Sequence, residues 1–194
     1  MKKILVVDCN TRYMNPTRNL LPTLFSKLGK VYFWGPGYNM DPIKAFLKTK
    51  NFDLVIFTEY AITMQNPTQE DIESAFKFYK KCFYFEFTKE DLFSFFQAIP
   101  KIMDGKFKKA AVLLTLDFQT IEEKTCLFLE ENFDLIAALN KSNWSKNVSE
   151  GVQLGKMTQN WWEFVNRNDH KILPFFHFIS DYEFNWSQVG RRKH

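Results

Sequence analysis

The side chains able to do chemistry in this 194-residue sequence fall in a few short stretches. Asn10-Thr11-Arg12-Tyr13, with Asn15 close behind, gathers amide, hydroxyl and guanidinium groups suited to holding a sugar or an anion. The same Asn and Thr can equally cap a following helix, leaving Arg12 in solvent. Thr58-Glu59-Tyr60 follows the apolar run Leu54-Val55-Ile56-Phe57 and is a second candidate binding edge. Asp117 closes another apolar run, Ala110 to Leu116, where a carboxylate could act as general base toward a hydroxyl nucleophile. It could also be the N-cap of a helix beginning near Thr120. His177 sits among phenylalanines in Phe175-Phe176-His177-Phe178, so it reads either as a packing residue or as an acid–base group. Trp161-Trp162 reads as core and neighbour-domain packing or as a sugar-stacking platform.

Other chemistries lack their residues. Gly35-Pro36-Gly37 places two glycines near each other, but it follows the second predicted strand, lacks a third glycine and contains proline, so it reads as a turn rather than a dinucleotide fingerprint. There is no Walker A sequence, and the first strand–helix loop has no glycine. No cofactor is expected to bind this chain on its own. Metal binding has no constellation either: His170, His177 and His194 lack ligand-like spacing with Cys or acidic partners. Cys9, Cys82 and Cys126 are odd in number and scattered, which argues against a disulfide framework and for a cytoplasmic chain.

The elements that must position these groups alternate. Lys3 to Asp8 is a short β-branched run apolar on both sides, as expected of a strand inside a parallel sheet. Pro16 opens a helix carrying Leu20, Leu21, Leu24, Phe25 and Leu28, which Gly29 stops. Strands follow at Val31 to Trp34 and Phe52 to Phe57, with a short helix from Asp41-Pro42 to Lys48 between them. Helices are predicted over Pro67 to Lys81, after the Thr88-Lys89-Glu90-Asp91 cap, over Ile121 to Glu131 and over Met157 to Asn166. Cys82 to Phe87, Ala110 to Leu116 and Lys171 to Ile179 read as strands, the last interrupted by Pro174 and so at an edge or a strand end. Asn51-Phe52-Asp53-Leu54 recurs as Asn132-Phe133-Asp134-Leu135, each copy after a helix, and the two read as equivalent joints in two halves.

The pattern predicts an α/β fold, a Rossmann-like or flavodoxin-like open, mainly parallel sheet with helices on both faces. Residues 1–185 form one domain, and 186–194, ending Arg191-Arg192-Lys193-His194, a basic tail or the start of an interdomain linker. Ligands in such sheets bind at the carboxyl ends of the strands, where the candidate residues stand. A formal net charge of +4, much of it in that tail, gives no basis for nucleic-acid binding. Apolar runs are too short for a bilayer span, and the start leaves no room for a signal-peptide core. The 22 phenylalanines imply a bulky core.

The opening Lys3 to Asp8 with Asp53-Leu54-Val55-Ile56-Phe57 resembles response-regulator receiver domains, but Cys9 stands at the second acidic position and Thr58 at the phosphoacceptor position. Over nearly its whole length the sequence is more similar to the amino-terminal, acceptor-side domain of GT-B glycosyltransferases of the CgeB-like, glycosyltransferase-family-4 type. The features that carry this are Lys3 to Asp8, Asn51 to Val55, Ala111 to Leu114 leading to Asp117, Phe133 to Ile136, and Leu173-Pro174-Phe175 before Glu183-Phe184. The resemblance implies a sugar or glycan acceptor bound by Asn10, Thr11, Arg12, Tyr13, Asn15, Thr58, Glu59 and Tyr60. It makes Asp117 or His177 the acceptor base. It assigns the nucleotide-sugar donor to a carboxyl-terminal domain or a partner chain, and it implies aromatic surface near Trp161 and Trp186 exposed for that domain. The alternative is a non-enzymatic Rossmann-like or receiver-like interaction module.

Overall fold

A strand covered on both faces must be apolar at every position, and the five residues of β1 (Lys3–Val7) meet that demand from Ile4 to Val7, all at most 2% exposed. The computed structural model describes residues 1–10, 25–62, 67–82, 86–113, 122–138 and 156–174. In chain order the elements after β1 are β2 (Lys30–Trp34), α1 (Ile43–Lys50), β3 (Leu54–Thr58), α2 (Glu59–Ile62), α3 (Gln69–Cys82), α4 (Lys89–Met103) and β4 (Lys108–Leu113). Then come α5 (Glu123–Asn132), β5 (Leu135–Ala138), α6 (Lys156–Arg167), a 3-10 turn at Asp169–Lys171 and β6 (Ile172–Pro174). The six strands form one sheet in the order β2-β1-β3-β4-β5-β6, every neighbouring pair parallel. The fold is the expected open α/β sheet flanked by helices.

Right-handed crossovers explain how the helices are distributed. The step from β1 to β2 runs one way along the sheet and every later step runs the other way, so the connections fall on opposite faces. Leu5, Val7, Val55, Phe57, Ala111, Leu113 and Ile136 point to the face packed by α1 through α6, together with Trp34, Phe95, Trp161 and Phe164. Ile4, Val6, Ile56, Ala110 and Val112 point to the other face, where Phe25 packs on them. Fully burying a side chain such as Phe57 or Phe95 contributes about 2–3 kcal/mol, so the many aromatics on the first face anchor the helices there. Among the described residues no helix is long and apolar enough to cross a membrane.

The repeated joints do the same thing twice. Asp53 donates its backbone N–H to the Lys3 carbonyl at 2.9 Å and accepts the Lys3 N–H on Oδ2 at 2.8 Å. Asp134 repeats both bonds with Lys109, at 2.9 and 2.8 Å. Each carboxylate thereby satisfies a backbone donor at the start of the neighbouring strand. Phe52 and Phe133, one residue earlier, are both buried. The helix ends differ: Asn51 caps α1 in the left-handed region at φ 47°, whereas Asn132 stays helical and sends Nδ2 to the Phe128 carbonyl at 2.9 Å. Lys171 completes the second joint by donating Nζ to the carbonyls of Glu130 and Phe133 at the end of α5.

Four expectations change. Phe52 precedes β3 as a buried anchor rather than starting it. Of the strand expected over Cys82 to Phe87, Cys82 is the last residue of α3, 83–85 lie outside the described residues, and Glu86 and Phe87 pair with no strand. The α1 helix begins after Pro42 with no side-chain cap, and the Asp41 carboxylate turns back instead, accepting Asn39 Nδ2 on Oδ2 at 3.1 Å. Trp161 is 0% exposed and packs 5.2 Å from Phe164, so it belongs to the core and neither faces another domain nor offers a stacking platform. Trp186 lies outside the described residues.

Candidate functional site

The strand order sets where a ligand can enter. The strand order reverses between β1 and β3, β2 lying on one side of β1 and β3 on the other, and open parallel sheets bind ligands in the crevice at the carboxyl ends of the strands at such a switch point. The residues at that point are Asp8, Cys9 and Asn10 after β1, and Thr58 and Glu59 at the end of β3.

Strand periodicity brings two of them together. Side chains alternate along a strand, so Ile4, Val6 and Asp8 share one face, as do Leu54, Ile56 and Thr58. Val7 pairs with Phe57 in the β1–β3 register, which makes Asp8 and Thr58 neighbours on that face. Thr58 donates Oγ1–H to Asp8 Oδ1 at 2.5 Å, with both residues buried at 0% and 3% exposure. The Tyr38 hydroxyl reaches the other carboxylate oxygen, Oδ2, at 3.5 Å. A buried carboxylate is tolerated only when hydrogen-bonded, and these hydroxyls supply part of that support.

The wall beside Asp8 is the turn after β2. Asn10 fastens it through two bonds, its N–H to the Pro36 carbonyl at 2.8 Å and its Nδ2 to the Gly37 carbonyl at 2.9 Å. Gly35 has φ +140°, and a Cβ there would lie 2.0 Å from the Asp8 carbonyl oxygen. Gly37, at φ +76°, would push a Cβ to 2.8 Å from Asn10 Cβ. Both glycines are required by close backbone approach and by the left-handed region. Two of the turn's N–H groups are turned inward, Gly35 donating to the Asn39 carbonyl at 2.9 Å and Tyr38 to the Gly35 carbonyl at 3.0 Å, and Pro36 has none. The turn forms the wall of the site beside Asp8.

Of the residues singled out from the sequence, Asn10 and Thr58 stand at the crevice in these roles. Glu59, 3% exposed, opens α2 beside Thr58. Tyr60 is a core residue, edge-on to Tyr79 at 5.3 Å, and does not line the crevice. Thr11, Arg12, Tyr13, Asn15, Asp117 and His177 lie outside the described residues. Asp8 and Tyr38 fall in the strand-end stretches 8–15 and 35–39, where such a sheet binds ligands, but neither is given an individual role from the sequence. The signal for Asp8 was its strand parity with Thr58, which needs the register of β1 on β3 to be used.

Other regions offer less. Among the described residues no group of three or more His, Cys, Asp or Glu could hold a metal ion. Burial pushes the Cys126 thiol up to about 11, so at neutral pH it is neither nucleophile nor ligand. A cleft of about 260 Å³ opens between α3 and α4, lined by residues that include Ile72, Glu73, Lys89 and Phe93. Glu73 and Lys89 pair there at 3.0 Å, and none of the groups singled out above lines it. The crevice above β1 and β3 therefore remains the candidate site. Compared with protein-family models, curated proteins and solved structures, the chain finds no match.

Proposed function

We propose that this chain is the acceptor-binding domain of a nucleotide-sugar-dependent GT-B glycosyltransferase, with the donor bound by a further domain or partner chain. The observation that carries the reading is the hydroxyl-supported carboxylate of Asp8 at the carboxyl ends of β1 and β3. A carboxylate accepts hydrogen bonds from hydroxyls and repels phosphate, so the chemistry favours a neutral polyhydroxylated ligand over a nucleotide. Asn10 and Glu59 add polar groups at the same sheet edge. Asp117 and His177 are the acceptor-base candidates of this reading, by virtue of the family resemblance.

The test is thermal stability of the 194-residue chain with methyl pyranosides, nucleotide-sugars and free nucleotides, alongside Asp8→Asn. At ten times the dissociation constant a ligand adds about 1.4 kcal/mol, or roughly 3–5 °C for a chain of this size. The expected result is a shift with pyranosides alone that Asp8→Asn removes. A shift with nucleotides alone would overturn the reading.

A second reading, a receiver-like interaction module, is favoured by one observation. The order β2-β1-β3-β4-β5 is that of receiver domains, and Asp8 and Thr58 meet where such domains keep their first acidic group and phosphoacceptor. With threonine at the acceptor position, aspartyl phosphorylation is lost in this reading. Absence of any carbohydrate response would favour it.

A further inference from the structure

Tyr38 is held in two unlike ways. Its backbone is fixed, because its N–H bonds to the Gly35 carbonyl and the turn around it is fastened by both bonds from Asn10. Its side chain is 36% exposed, with the ring 5.0 Å from Phe33 at a 33° tilt. Its hydroxyl lies 3.5 Å from Asp8 Oδ2, the long limit of a hydrogen bond, while Thr58 approaches Oδ1 at 2.5 Å. Of these two contacts Thr58 is the firmer support of the carboxylate, and the longer Tyr38 contact is the one a ligand hydroxyl replaces more readily.

Resting on the acceptor reading above, we propose that Tyr38 is the specificity-determining residue of the crevice, a platform that selects six-membered sugar rings. The axial C–H groups of a pyranose lie against the exposed part of the ring, and a ring hydroxyl takes over the Tyr38 contact to Asp8. Phe33 backs the platform on the sheet, so little ordering is left to be done on binding. Aromatic residues suit this task because they join a broad apolar face to a polar tip. An open-chain polyol has the hydroxyls for Asp8 but no ring face for Tyr38.

The experiment compares dissociation constants of methyl pyranosides and sorbitol for the full chain, Tyr38→Ala, Tyr38→Phe and Tyr38→Trp, read from amide shifts in two-dimensional NMR. The wild-type chain should bind at least one methyl pyranoside about tenfold tighter than sorbitol. Tyr38→Ala should erase that preference by weakening pyranoside binding about tenfold, whereas Tyr38→Phe and Tyr38→Trp should keep it within about threefold. Well-dispersed spectra of the Phe and Trp variants separate loss of the platform from loss of fold. Pyranoside binding that depends on Asp8 but not on Tyr38 would overturn the platform and leave the acceptor reading standing. A wild-type chain that binds no carbohydrate would overturn both.

Discussion

The two ends of the sheet use the same residue type for different work. At the amino end, Asp53 and Asp134 are exposed, and each bonds a backbone N–H at the start of a neighbouring strand. At the carboxyl end, Asp8 is 3% exposed and is contacted by side-chain hydroxyls from β3 and from the turn after β2. The first arrangement spends the carboxylate on the fold, where water shares its charge. The second keeps a carboxyl group buried against side-chain hydroxyls, a costly arrangement for stability alone and one suited to recognition. The difference teaches that a strand-end aspartate is informative only once its partner is known to be backbone or side chain.

The largest expected effect tests the wall at the carboxyl end. Gly35→Ala should cost about 3–4 kcal/mol in urea denaturation, since the new Cβ meets the Asp8 carbonyl at 2.0 Å on a backbone at φ +140°. An unchanged midpoint would mean that the turn does not lie against Asp8. Next come the joints: Asp53→Ala and Asp134→Ala should each cost about 1–2 kcal/mol, lowering the melting temperature by roughly 3–6 °C. The double variant should be additive within about 0.5 kcal/mol, because β3 lies between the two clamped strands. Strong coupling would break the picture of two independent clamps.

Asp8→Asn sharpens the comparison from the other side. It should change stability by less than about 1 kcal/mol, because the amide keeps the shape and can still pair with Thr58, yet it should weaken pyranoside binding about tenfold. Equal loss of stability from Asp8→Asn and Asp53→Ala would erase the distinction between the two ends. The smallest effect is on acid stability. Hydrogen bonds from Thr68 hold Asp71 below the usual carboxylate range, Lys89 does so for Glu73, and Arg167 for Glu130. A depressed folded-state value contributes stability that is present above the unfolded value, near pH 4, and is lost as the pH falls below it. Melting temperature should therefore decline modestly below about pH 4, and a rise there would contradict these pairings.

The amino end was readable from sequence because its signal is local. Asn-Phe-Asp-Leu occurs twice after a helix, and the roles of Phe and Asp follow from their place at a strand start. Most strands and helices were readable for the same reason, through apolar runs, caps and turn residues, although Cys82, read as opening a strand, ends α3. The carboxyl end was only half legible. Thr58 and Asn10 could be named from their strand-end positions, but pairing Asp8 with Thr58 depends on β3 lying beside β1, a fact of strand order that no local pattern encodes. Tyr38 depends further on a turn folded back by the Asn10 side chain, a contact across 27 positions. Tyr60 misled in the opposite direction, since an aromatic just after a strand end looks alike whether it faces a ligand or the core.

The most direct test of the central claim is a map of backbone amide shifts as methyl pyranosides are titrated into the full chain. The account predicts that Asn10, Tyr38 and Thr58 move together with one dissociation constant, while Lys3, Asp53, Lys109 and Asp134 stay fixed. Shifts at the amino-end joints, or in the α3–α4 cleft around Glu73 and Phe93 with the crevice silent, would contradict it.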